Sequence, residues 1–413
     1  MSNPAKPRFL FAFAVTASLV LLWGLGHRLH DTLLPLFAEV FELQGVRLAL
    51  ISRIYNFVYI VGALPAALYA RRFGYKAAIL LGLGLVAVGA FTFYPAAETR
   101  GISSYAVATT CMAAGWLTLE IAANPLFAAW GDPKRAVFRL NLAQNLYPIG
   151  ALAGIAIGRW LLHSELALPK AAFSYPLAHP YIVLGACILL VAFVIEETAY
   201  PPVAQERRPG LTGIGAEIKM LLAQPLIRYA MLAQFCAITA TGLTFAMITY
   251  AVHTASPFWT FVAERNVVIL CMVLFAIGRL IGTALMAKIA PATVLLVYTT
   301  GGCCFALIAA FFGGSMATLG LMGLTVCVSL TWPTILGLAI QGLGPQMKVA
   351  TALVAIAGAI AGVSYNVALT ASGGPNNMLA LPVAALCCAM MAIFAWRCRR
   401  PEPKTILGCQ QNQ

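Results

Sequence analysis

Apolar runs of membrane-crossing length succeed one another along this chain, separated by short polar loops, and that spacing decides what it can fold into. About 20 residues of helix, rising 1.5 Å each, cross the hydrocarbon core of a bilayer, which is roughly 30 Å thick. Twelve such runs are read, at about 9–38, 46–70, 77–97, 102–129, 138–162, 179–196, 226–252, 263–287, 292–312, 316–340, 348–371 and 377–396. In lipid every backbone amide needs a partner inside its own helix or in a closed barrel. A barrel would show segments of ~10 residues alternating apolar and polar, and this sequence shows unbroken apolar runs instead. The expected fold class is an all-α integral membrane protein with 12 transmembrane helices.

Composition agrees. The chain is 61% hydrophobic and 9% charged, where a water-facing globular surface draws on about 25% charged residues. The net charge of +13 would suggest a nucleic-acid partner in a soluble protein, but here the cations fall in short loops between apolar runs. A bilayer partner is expected, and no nucleic acid. One side of the membrane receives Lys6, Arg8, Arg71, Arg72, Lys76, Lys134, Arg135, Arg207, Arg208, Lys219, Lys288, Lys348, Arg397, Arg399, Arg400 and Lys404. The other receives Arg47, Arg100 and Lys170. Positive residues stay in the cytoplasm, so both termini and the central loop are expected there, in a cell inner membrane. The first apolar run exceeds a signal h-region and lacks a small-residue cleavage site, so no cleaved leader is expected.

The most polar stretch, residues 197–225, holds Glu206, Arg207, Arg208, Glu217 and Lys219. It divides the chain into a six-helix bundle over 1–196 and another over 226–413. The halves echo each other weakly. Arg71-Arg72-Phe73-Gly74-Tyr75-Lys76 follows the second run, while Gly278-Arg279-xx-Gly282 and Lys288 mark the eighth. A duplicated unit of this kind carries its solute path between the halves. The eleven cysteines sit mostly inside apolar runs, among them Cys111, Cys187, Cys271, Cys327 and the pairs Cys303-Cys304 and Cys387-Cys388. They have no metal-site spacing and read as small buried hydrophobes; no metal or cofactor is expected.

Ionisable groups at membrane depth cost several kcal/mol, so they face water-filled crevices or each other. Asp31 in the first run and Glu120 in the fourth are the acids placed well inside. Burial penalises the charged form of a carboxyl, which lets such a group bind and release a proton near neutral pH. Both are candidates for proton coupling; the alternative is an ion pair holding two helices together. His27-Arg28-Leu29-His30-Asp31 puts Arg28 and His27 on the same helix face as Asp31. If Arg28 holds Asp31 ionised, the mobile proton falls to Glu120 or to a histidine. His27 and His30 read equally as packing residues. Arg159 reads as an interfacial side chain, and Arg139, beside Lys134 and Arg135, as a gate or loop anchor.

Amides and aromatic faces recognise sugar-like solutes. Asn124-Pro125, Asn141, Gln144, Asn145 and Tyr147-Pro148 lie in runs four and five. Gln234, Thr239 and Thr241 lie in run seven, and Trp332-Pro333 in run ten. Prolines inside spans free a carbonyl and bend helices that move. With His27 and Arg28, the residues Asn124, Gln144, Tyr147, Gln234 and Trp332 make up the expected substrate site.

At these residues the chain resembles the fucose–proton symporter family of the major facilitator superfamily. The likeness is carried by Trp23-Gly24 through Asp31-Thr32-Leu33-Leu34-Pro35-Leu36-Phe37, Arg72 to Lys76, Leu119-Glu120-Ile121-Ala122-Ala123-Asn124-Pro125 and Phe138-Arg139-Leu140-Asn141-Leu142-Ala143-Gln144. Pro333-Thr334-Ile335 and Leu343-Gly344-Pro345 fit more loosely. The resemblance implies two pseudo-symmetric six-helix bundles, alternating access, and a monomer importing a sugar with a proton. It implies that Asp31 and Glu120 couple the proton and that Gln144 lines the sugar cavity. Three departures stand out. His27, Arg28 and His30 replace the family's amides before the Asp. Tyr147-Pro148 stands where the family has Asn and Gly, and Val328 where it has Asn. The alternative reading is a carrier for an anionic metabolite, siderophore or drug with altered coupling. No nucleophile triad is visible, so an enzyme is not expected.

Overall fold

The computed structural model describes residues 5–40, 53–99, 102–165, 174–205, 213–254, 257–371 and 380–399. Arg47, Arg100, Lys170, Glu206, Arg207, Arg208, Arg400 and Lys404 lie outside the described residues. Every regular element described is helical. In chain order these are α1 (Ala5–Val40), α2 (Ile54–Phe73), α3 (Tyr75–Thr99), α4 (Ile102–Ala129), α5 (Ala136–Gln144), α6 (Leu146–Glu165) and α7 (Ser174–Glu197). There follow α8 (Ile214–Ala223), α9 (Pro225–Thr254), α10 (Pro257–Met286), α11 (Pro291–Phe311), α12 (Gly314–Val328), α13 (Thr331–Ile340), α14 (Met347–Ala371) and α15 (Ala380–Arg399).

Eleven stretches are long and apolar enough to cross a membrane. The twelfth crossing is α2, whose hydropathy is lowered by Asn56, several tyrosines and the Arg71-Arg72 pair at its end. Two crossings are bent where the sequence reads as one continuous run. Residues 133–162 divide into α5 and α6 at Asn145, and residues 314–340 into α12 and α13 at Ser329–Leu330. The cause is covalent. Proline has no amide hydrogen for the carbonyl four residues back, so Pro148 frees the Gln144 carbonyl and Pro333 frees that of Ser329.

The packing has internal two-fold character. In the first half α1 packs on α6, α3 on α4 and α7, and α2 on α4; in the second, α9 packs on α14, α11 on α12 and α15, and α10 on α12. Each pair has its counterpart six crossings later. The halves meet through α2 against α14 and α6 against α10, which is the same relation again. The α1–α6 seam depends on glycine: a Cβ at Gly150 would collide with the Leu21 carbonyl, and one at Gly24 with that of Tyr147. The outward-facing side chains of the bundle, among them Leu190, Phe193, Val297 and Phe311, are large and apolar, as a lipid-facing surface requires.

At one end of the bundle lie the basic segments Arg71–Lys76, Lys134–Arg135, Lys288 and Lys348, here called the basic end. Short contacts tie it together. Arg71 pairs with Glu217 of α8 at 2.9 Å, and the Lys348 ammonium sits 4.2 Å from the Tyr75 ring centroid. Arg139 anchors the loop after α4, as one of its two sequence readings has it. Its guanidinium donates to the carbonyls of Asp132 at 2.7 Å, Ala128 at 2.8 Å and Phe127 at 3.3 Å.

Candidate transport site

Between the halves is a cavity of about 250 Å³. The first half contributes Trp23 and His27 of α1, Tyr55, Asn56 and Tyr59 of α2, Glu120 of α4, Gln144 of α5 and Tyr147 of α6. Facing them are Ile238 and Thr241 of α9, Phe275 and Arg279 of α10, Val328 and Trp332 near the α12–α13 break, and a strip of α14 with Ala355, Gly358 and Ala359. Small residues along α14 leave the volume open. Aromatic faces close it: Trp23 meets Trp332 edge-on across the halves at 6.0 Å and Tyr147 at 5.5 Å.

Of the residues singled out in the sequence, His27, Glu120, Gln144, Tyr147 and Trp332 come together on this cavity. Asn124 supports it from behind, accepting at 2.8 Å from the Gln144 side-chain amide, and is itself buried. Gln234 is buried behind Gly358, with its carbonyl oxygen unpartnered. Asp31 and Arg28 do not line the cavity. They form an ion pair at 3.1 Å beside it, with Asp31 half-exposed and His27 3.8 Å from the same carboxylate oxygen. The first helix continues past the cavity, so residues one turn beyond His27 stand at its rim. His30 lies elsewhere. It is buried and bonded to the Tyr181 hydroxyl at 3.1 Å among Phe37, Phe93 and Tyr105, the packing alternative of its sequence reading.

Glu120 is buried, lies on the cavity wall and is within hydrogen-bonding reach of the Tyr59 hydroxyl. Among the described residues no cation lies within ion-pair distance of it. The two acids that looked alike in sequence thus occupy different settings: one is paired with an arginine at the rim, the other faces a tyrosine inside.

Arg279 is the residue whose place sequence reasoning missed. It is buried on the cavity wall, its guanidinium 4.8 Å from the Phe275 ring centroid. Its Nε donates to the Ser329 carbonyl at 2.7 Å and its Nη1 to the Gln144 carbonyl at 3.0 Å. Those are the two acceptors released by Pro333 and Pro148, one in each half. Three more bonds join the halves nearby: Thr283 to the Asn145 side chain at 3.2 Å, Thr334 to that of Asn141 at 3.1 Å, and Gln341 to the Pro133 carbonyl at 3.0 Å. A signal did exist in the sequence. Two prolines at membrane depth leave two carbonyls in need of donors, and Arg279 is a forked donor at the same depth.

The comparisons agree with this architecture. The family model described as Major Facilitator Superfamily matches residues 8–365. An L-fucose-proton symporter of Escherichia coli (strain K12) is 33% identical, over 94% of this chain and 93% of that protein. A glucose/galactose transporter of Brucella abortus is 26% identical, covering 84% of each. A crystal structure of the E. coli fucose:proton symporter superposes with a TM-score of 0.84 at 31% identity, covering 95% of this chain and 99% of that one. By identity, coverage and shape together, the chain belongs to the fucose–proton symporter family of the major facilitator superfamily.

Proposed function

We propose that this protein is a secondary active carrier that imports a sugar or sugar-like solute together with a proton. The observation that carries the reading is Glu120, a cavity-lining acid with a tyrosine partner and no cation within ion-pair distance among the described residues. A carboxyl in that position can take a proton while the site is loaded and lose it when the opposite face opens. The Asp31–Arg28 pair at the rim holds its charges against each other and shapes the entrance. Hydroxyls of the solute meet Glu120, Tyr59 and Gln144, while Trp23, Tyr147 and Trp332 supply apolar faces for a sugar ring. A cavity of about 250 Å³ is at the small end for ligand pockets, which favours a monosaccharide over a siderophore.

In this reading two halves, residues 1–196 and 226–413 joined by 197–225, rock about the cavity. The Lys and Arg distribution favours both termini in the cytoplasm of a cell whose inner membrane holds the carrier, working as a monomer and catalysing no chemical reaction. The relatives named above, a fucose symporter and a glucose/galactose transporter, support a sugar as the solute.

The test is Glu120→Gln in proteoliposomes. The amide keeps an acceptor for the Tyr59 hydroxyl, so the cavity is preserved while the proton carrier is removed. Uptake driven by a pH gradient is expected to disappear while exchange of labelled for unlabelled solute continues. Uptake in the variant that still follows the pH gradient would overturn the assignment.

A further inference from the structure

Resting on the reading of the cavity as the solute site, we infer that the solute is a sugar acid, a monosaccharide bearing a carboxylate, and that Arg28 selects it. Three observations lead there. The first is an imbalance of hydrogen bonds. Buried polar atoms without hydrogen-bond partners collect on the first-half wall and rim: Trp23 Nε1, Arg28 Nε and the Tyr55 hydroxyl. The first two can only donate, and the third can do so. Buried donors left unmade are costly, so a fitting solute brings acceptors to this side. A carboxylate offers about four acceptor positions and no donor; a hydroxyl must place its own hydrogen as well.

The second observation is the posture of Arg28. Its ion pair with Asp31 uses one Nη1 bond of 3.1 Å and leaves Nε free. The guanidinium reaches across the halves to lie 5.4 Å from the Phe245 ring centroid of α9, and it is close enough to donate to the Tyr147 hydroxyl on the cavity wall. Asp31 therefore fixes the cation in place without consuming its donors, and a quarter of its side chain, 24%, remains exposed. Arg28 and Tyr147 act as one unit. An arginine fork suits a carboxylate where an amide suits a hydroxyl.

The third is charge balance over the transport cycle. With His27 neutral, Arg28 and Asp31 cancel. Arg279 has two backbone carbonyls and aromatic rings as its partners and no carboxylate among the described residues. When the site is empty and Glu120 has released its proton, Glu120 and Arg279 cancel as well. When Glu120 carries its proton, the cavity has one positive charge in excess, and a monoanionic solute removes it. Proton plus monoanion thus leaves both the loaded and the empty carrier neutral inside, where uncompensated charge is expensive. A neutral sugar would leave the loaded form charged.

The experiment compares matched pairs in proteoliposomes: D-galacturonate with D-galactose, and D-glucuronate with D-glucose, each followed by labelled exchange and by uptake. At least one uronate is expected to exceed its neutral partner tenfold. Its uptake is expected to follow the pH gradient but not a potential clamped with potassium and valinomycin, because one proton and one monoanion carry no net charge. A solute moved with net charge would change its accumulation about fiftyfold per 100 mV. Arg28→Asn is expected to lower the uronate-to-hexose ratio at least tenfold, and Arg28→Lys to hold it within threefold. Neutral hexoses taken up with protons in preference to uronates would overturn the sugar-acid inference and leave the symport reading standing. So would an equal loss of both solutes in Arg28→Asn. Uronate exchange without any response to pH would do the reverse, and exchange of none of the four solutes would sink both.

Discussion

Replacing Arg279 with methionine separates its two bonds by what each holds. The Nε bond to Ser329 lies within the second half, at the α12–α13 break, so rocking of the halves as rigid bodies leaves it in place. The Nη1 bond to Gln144 crosses between the halves at 3.0 Å and exists when they are closed toward the basic end. A hydrogen bond from a charged group contributes about 1.5–3 kcal/mol. Losing the first therefore weakens both conformers alike and cancels from their ratio, whereas losing the second falls on the closed conformer alone. At 1.36 kcal/mol per decade, the ratio should move toward opening at the basic end by roughly 10- to 150-fold. Spin labels at Lys134→Cys and Lys288→Cys, on exposed positions of opposite halves, report that opening as a longer distance by double electron–electron resonance. The exposed Cys187 and Cys304 are first removed. Arg279→Lys keeps the charge but cannot fork to two carbonyls, so it should fall between wild type and methionine. An unchanged distance distribution in Arg279→Met would refute the claim that this arginine holds the halves together.

The same labels should report Thr334→Val, which removes the neutral bond to Asn141 at 3.1 Å; at about 0.5–1.5 kcal/mol the shift should be smaller, roughly 2- to 13-fold. Gln144→Ala deprives the buried Asn124 oxygen of its 2.8 Å donor and should raise the half-saturation concentration about tenfold in exchange assays, at a cost near 1–3 kcal/mol. Gly150→Ala forces a methyl against the Leu21 carbonyl and should destabilise the protein by about 1–3 kcal/mol or more in a thermal shift assay. Gly84→Ala, where nothing lies within 4 Å, should leave the melting temperature unchanged.

Most of the architecture was legible because lipid leaves so few options. Apolar length marks the crossings, and loop cations mark which ends belong together; neither depends on tertiary detail. The α5–α6 and α12–α13 breaks were harder to read, since hydropathy runs straight through Asn145 and Ser329. Pro148 and Pro333 announced that carbonyls would be freed but not what would satisfy them. The site was legible in its chemistry and not in its partition. Asp31 and Glu120 are both acids at membrane depth, and helix spacing placed Arg28 beside the first, as the 3.1 Å pair shows. That Glu120 has a tyrosine beside it depends on α2, a neighbour that no local pattern connects to α4. His30 reads from sequence much like His27, yet the turn of the helix sends one to an aromatic core and the other to the cavity.

Pro148 and Arg279 together constrain how such a carrier can move. A straight fifth crossing would satisfy its own carbonyls and would owe nothing to the other half. Bending it at Asn145 exposes the Gln144 carbonyl, and the donor that reaches it in this conformation comes from the second half. The bond is thus one that each cycle must break and remake, beside the same glutamine whose side chain faces the cavity. In the proposed site the Gln144 side chain meets the solute while its backbone carbonyl holds the closure, so both act on one residue. A solute that shifted the α5–α6 bend would change the length of the inter-half bond directly, which would couple binding to reorientation without any longer pathway.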